Sequence, residues 1–155
     1  MVVVIVVMAF ALPALLRLLG GAAWNAGRTQ AFAGAALYAQ GLMEEIRTKK
    51  YDELAGTYSS TLGPESGETY PAGYDDVDDY NGYSDIPAGG FTRTVTVGYV
   101  YLNGTAWTDC GAQTCVAATT CTTCSQCCYK KITVTVSRND NLVKNLKLVA
   151  IVGAH

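Results

Sequence analysis

The chain has 155 residues, half of them hydrophobic and only 15% charged, with a formal net charge of -2. A chain of that length holds one compact domain plus an extension, not two independent cores. So small and slightly acidic a balance provides no basic field to hold a phosphate backbone, and nucleic acid is not expected as a partner.

The segment Met1 to Leu16 is an unbroken apolar run, and Val2 to Leu19 contains one charge, Arg17. That is close to the roughly 20 residues needed to span a bilayer core. A membrane helix is the first reading and a secretory signal peptide the rival, because Gly20, Gly21, Ala22 and Ala23 resemble a cleavage region. A buried core helix fits poorly, since so small a domain can hardly enclose a segment apolar on every side. Pro13 removes a backbone donor inside the run and Gly20-Gly21 are poor helix formers, so a kink or a melted stretch is expected between Pro13 and Gly21. From Ala22 onward, Trp24, Ala31, Ala35, Tyr38, Leu42 and Ile46 recur at helical spacing and predict an amphipathic helix. Its other faces carry Ala33, Gly34, Ala36, Ala39 and Gly41, small enough for a second helix to approach closely. Glu45 four residues before Lys49, followed by Lys50, supports the C-terminal end. The helical part is taken as residues 1–53 and the globular part as residues 54–155.

Residues 54–90 are rich in Gly, Ser, Tyr and Asp, which predicts a long connecting loop. Within it, Asp76, Asp78, Asp79 and Asn81 offer oxygens that calcium uses as ligands. Tyr80 stands where the EF-hand pattern needs another oxygen, so a solvated acidic turn is the competing account. The tyrosines of the same region form either an adhesive surface or ordinary loop packing. Residues 91–102, "FTRTVTVGYVYL", and residues 130–138, beginning "KKITVTVS", alternate with period two and predict strands. Arg138-Asn139-Asp140-Asn141 predicts a turn and residues 142–152 a third strand, giving an antiparallel sheet with one face on the helix, an α+β module.

Residues 103–129 hold all six cysteines, Cys110, Cys115, Cys121, Cys124, Cys127 and Cys128, among small polar residues. In an exported chain an even number so close together reads as three disulfides, whose pairing sequence does not choose. Thiolate ligation of zinc or an iron–sulfur cluster by Cys121, Cys124 and Cys127 or Cys128 is the alternative. Asn103-Gly104-Thr105 is a glycosylation sequon, with Asn103 the acceptor. The single histidine, His155, is terminal, and no Gly-rich phosphate loop or hydrolase elbow occurs, so neither catalysis nor a cofactor is expected.

The stretch "VVVIVVMAFALPALLRLL", then "ALYAQGLMEEIRTKKYDE" and "YDDVDDYNGYSD", resembles the type IV pilins and the pseudopilins of type II secretion. The likeness is to the minor-pilin branch that includes mannose-sensitive haemagglutinin pili, and it covers roughly half of the chain. Family members carry a basic leader and a glutamate near the start of the apolar segment. Aligned on Pro13, that glutamate falls at about Met1, so the sequence is expected to begin a few residues inside the usual mature protein. Leader processing, N-methylation and the glutamate's role in assembly are carried onto no residue here.

The resemblance implies a pilin-like fold, with half of the helix protruding and half packed on the sheet. It implies insertion in the inner membrane before assembly, contact with the pilus or secretion machinery there, and then polymerisation with copies of itself into an extracellular filament. Val4, Met8, Pro13, Leu16, Trp24, Ala31, Ala35 and Tyr38 are the expected helix-packing positions in the filament core. Two other functions remain open: a minor pilin or pseudopilin that primes a pilus or a secretion machine, and a membrane-anchored metal or redox module built on the cysteine cluster.

Overall fold

A computed structural model describes residues 2–51, 62–110 and 129–153. Helix α1, Val2–Arg47, is followed by a short 3-10 helix, Asp78–Tyr80, and by strands β1, Ser84–Asp85, β2, Phe91–Asn103, β3, Ala106–Asp109, β4, Tyr129–Arg138, and β5, Leu146–Gly153. Its 46 residues make α1 about 70 Å long. Every residue through Pro13 and Gly20-Gly21 is helical, so the stretch expected to melt is intact. Pro13 withholds one N–H from the ladder, and the turns on either side carry the helix past that gap.

The C-terminal end of α1 is closed locally. The Thr48 N–H donates to the carbonyls of Glu44 and Glu45, each at 3.2 Å, and the Thr48 hydroxyl donates to the Glu45 carbonyl at 2.7 Å. These bonds satisfy carbonyls that a helix end leaves without partners.

The sheet runs β1-β2-β4-β5, with β3 also on β2, and all pairings are antiparallel. β2 and β4 form its longest ladder, from Phe91 opposite Arg138 to Val100 opposite Tyr129. The ranges expected for these two strands match to within a residue. β5 starts later than the expected residue 142, because Arg138 to Asn145 forms a longer connection. Asn141 and Asn145 take φ of 61° and 51° there, and the Arg138 N–H donates to the Val143 carbonyl at 3.0 Å. Val143 is fully buried, so this connection is pinned by its own apolar plug.

Two short strands lie in stretches expected to be loop. β3 folds back on β2 across Gly104-Thr105, where Gly104 supplies the positive φ of 64° that such a two-residue turn needs at its first position. β1 is held by Asp85, whose Oδ1 accepts from Arg93 Nε at 2.8 Å and whose Oδ2 pairs with Arg93 Nη2.

One face of the sheet packs on the second half of α1. Ala31, Ala35, Ala39, Leu42, Met43 and Ile46 meet Val95, Val97, Ile132, Val134 and Val136 in a single core. The helix contributes alanines to this core at one end and larger side chains at the other. Leu42 is fully buried, and Leu42→Ala is expected to cost about 2–5 kcal/mol, seen as a lower urea midpoint for the detergent-solubilised full chain. A loss below about 1 kcal/mol would mean that the helix settles into the gap.

Candidate assembly surface and the buried acidic turn

The first half of α1 touches none of the described sheet. Residues 7–30 are all exposed, and they include Phe10 at 78%, Leu18 at 72% and Trp24 at 65%. Only Arg17 and Arg28 are charged between Val2 and Gly41. Soluble monomers rarely leave a contiguous apolar surface larger than several hundred Å². This helix is long and apolar enough to cross a membrane, a property that anchors and signal sequences share.

The eight expected helix-packing positions divide into two groups. Val4, Met8, Pro13, Leu16 and Trp24 are exposed on the free half. Ala31 and Ala35 are buried against the chain's own sheet, and half-buried Tyr38 packs at a tilt against Phe91 with ring centroids 5.2 Å apart. The helical spacing that joins all eight continues along one helix, but the sheet covers only its later turns.

Beyond the helix, Lys50 fastens the loop to the helix end. Its N–H donates to the Asp75 carbonyl at 3.2 Å, its carbonyl accepts from the Val77 N–H at 3.0 Å, and its Nζ meets Asp75 Oδ2 at 2.9 Å. The acidic turn that follows is not solvated, which corrects that expectation. Asp76 is 1% exposed, and Asp78 and Asp79 are fully buried.

The acidic side chains are committed to the fold. Asp76 Oδ1 accepts from the N–H groups of Asp78 and Asp79 at 2.8 and 3.2 Å, and Asp79 Oδ2 accepts from those of Asp75 and Asp76 at 2.9 and 3.1 Å. Each carboxylate thereby satisfies donors of the other's segment, which is why a tight turn with buried backbone tolerates so many acids. Asn81 Oδ1 accepts from the Val97 N–H at 3.0 Å and its Nδ2 donates to the Leu62 carbonyl at 3.3 Å, tying the loop to β2. Of the four residues considered as calcium ligands, Asp76, Asp79 and Asn81 each have an oxygen occupied by backbone N–H groups. Asp78 pairs with Lys130 from β4.

Alternation along β4 puts Lys130 in the same register as buried Ile132, Val134 and Val136. A lysine at an inward position of a period-two strand is the sequence signal for a buried partner, and the acidic loop supplies it.

The tyrosines of the loop pack on one another. Tyr70, Tyr74, Tyr80 and Tyr83 meet at centroid distances of 4.5 to 6.3 Å, mostly edge to face. Tyr80 is fully buried and its hydroxyl donates to Glu45 Oε1 at 2.7 Å, a link from loop to helix. Burial, then the Glu45 carboxylate, pushes the Tyr80 phenol well above the ordinary tyrosine range. This is loop packing, with Tyr70 at the rim.

Burial, then the charges of Asp78 and Asp79, push the Asp76 carboxyl up to about 7. A carboxyl raised in the folded state above its unfolded value of about 3.9 adds stability that is complete below that value and is lost as pH rises through the folded value. Asp76→Asn retains an oxygen for the two N–H groups and removes the titration. The melting temperature of the parent is expected to fall between about pH 4 and 7 relative to that of the variant. Parallel profiles in thermal scans would contradict this assignment.

Asn103 is exposed at the end of β2, beside the Gly104-Thr105 turn. Cys110 follows β3, is disulfide-bonded and only 6% exposed, and its N–H donates to the Tyr99 carbonyl at 2.8 Å. Cys115, Cys121, Cys124, Cys127, Cys128 and His155 lie outside the described residues. No family model, no curated protein and no solved structure matches this chain.

Proposed function

We propose that this chain is a structural subunit of a type IV pilus-like extracellular filament. The observation that carries the reading is the free half of α1, with large apolar side chains exposed along residues 7–30 and a folded α+β domain at its far end. Such a helix is stable in two surroundings, lipid and a bundle of its own kind. The inner membrane holds it before assembly, and the assembly machinery then transfers it to neighbouring copies.

Gly20, Gly21 and Gly27 support the bundle, since nothing lies within 4 Å of where a Cβ would stand on any of them. Neighbouring helices can approach closely there. The resemblance of the apolar segment and the first loop to type IV pilins and pseudopilins points the same way, and the role is assembly without turnover.

Electron microscopy of material sheared from the cell surface tests this, with the subunits identified by mass spectrometry under non-reducing conditions. Helical filaments made mostly of this chain, with its cysteines oxidised, are expected. Trace amounts in filaments built of another chain would assign it instead as a minor pilin or pseudopilin. Stoichiometric metal on free thiols in the membrane fraction would replace both readings with an anchored metal or redox module.

A further inference from the structure

Lys130 Nζ meets Asp78 Oδ1 inside the protein, and neither side chain is exposed to solvent. The Asp78 Oδ2 atom is buried without a hydrogen-bond partner. The Tyr51 and Tyr99 rings stand 4.4 and 5.9 Å from Nζ, and Nζ also donates to the Tyr51 carbonyl. An ammonium and a carboxylate removed from water lose hydration that their mutual attraction only partly replaces.

A third group completes the arrangement. Asp76 is 1% exposed, lies two residues before Asp78, and is acted on by the charges of both Asp78 and Lys130. With its carboxyl at about 7, a substantial fraction carries a proton at neutral pH. Two other lysine–aspartate pairs among the described residues lack this environment: in Lys50–Asp75 the side chains are 64% and 44% exposed, and in Lys131–Asp109 they are 31% and 68% exposed.

We propose that Lys130 and Asp78 condense to an intramolecular amide, an isopeptide cross-link between the acidic turn and β4. A proton first passes from the Nζ ammonium to the Asp78 carboxylate, leaving a neutral amine and a neutral acid. The Nζ lone pair attacks Asp78 Cγ, and the Nζ–Cγ bond forms. One Cγ–O bond then breaks. The departing hydroxyl leaves as water with a proton from Asp76, and the proton released from nitrogen returns to Asp76. One ammonium and one carboxylate give one amide and one water, with no oxidant, reductant or co-reactant.

Fixed contact between the reacting groups corresponds to an effective molarity of roughly 10⁵–10⁸ M. That advantage opposes the preference of bulk water for hydrolysis, and the aromatic walls keep water from the product.

Intact-mass measurement of the full chain, reduced and alkylated, is the first test. A mass lower than that of the sequence by one water is expected, together with a branched tryptic peptide joining the segments of Lys130 and Asp78. The branched peptide separates this reaction from loss of water within a single aspartate. Lys130→Arg keeps the cation without the reactive amine and is expected to fold at full mass. Asp76→Asn is expected to preserve the circular dichroism spectrum and slow condensation about 100-fold or more. A folded parent chain at full mass with linear peptides alone would overturn the cross-link, as would loss of water in Lys130→Arg. Condensation of Asp76→Asn at the parent rate would remove Asp76 from the reaction.

Discussion

A chain lacking residues 1–27 is expected to be a soluble monomer with the sheet intact, whereas under the proposed function the full chain is expected to partition into membranes or filaments. Among the described side chains the first buried one on the helix is Ala31, so this cut removes none of those that the core uses. It retains Arg28, whose guanidinium lies 5.6 Å from the centroid of the Phe32 ring. Ten large side chains go with the removed half: Val4, Val7, Met8, Phe10, Leu12, Leu15, Leu16, Leu18, Leu19 and Trp24. At about 1.5–3 kcal/mol each, burying them in an assembly is worth roughly 15–30 kcal/mol before the costs of association. Their removal should therefore abolish assembly outright. Sedimentation velocity reports the monomer and circular dichroism the sheet; aggregation, or loss of the β signal, would show that the free half supports the domain's own fold.

Lys130→Ala is expected to be the most damaging single change in the globular part, at about 3–5 kcal/mol. It leaves Asp78 buried with no cation, and burying an unpaired carboxylate is far costlier than losing an exposed pair. Replacing both partners together, Asp78→Leu with Lys130→Met, is expected to recover most of that loss, because apolar groups of similar size carry no hydration to forfeit. Urea denaturation of the two variants beside the parent checks this. Equal destabilisation of single and double variants would mean that the pair matters through its links to the turn and not through its charge. The same variants remove the proposed cross-link, so they also report how far the turn depends on that bond.

The sequence pattern discloses the helix and the two long strands because their signals are periodic and locally consistent. Ala31, Ala35, Leu42 and Ile46 lie on one helical face, and Val95, Val97, Ile132, Val134 and Val136 on inward strand positions, and all of them are buried. Where meaning depends on a distant partner, the pattern signals the need for one, as Lys130 does at its inward strand position, without identifying it. The acids from Asp76 to Asp79 look solvated until Lys130 is placed opposite them, a contact spanning 52 residues. Leu142 and Val143 read as the beginning of a strand by their apolar character, yet the positive φ of Asn141 and Asn145 frames them in a connection. β3 lies hidden behind the glycine of its turn, and β1 is too short to show alternation.

Helix α1 runs as one helical element from its free half into the half that carries the sheet. The direction in which the sheet faces is therefore locked in phase with the side chains of the free half. Adding one residue between Trp24 and Ala31 would swing the sheet about 100° around the helix axis and move it about 1.5 Å along it. Phe10 and Leu42 are thus geared to each other. The azimuth of the sheet about the helix axis is set by the count of residues along the helix.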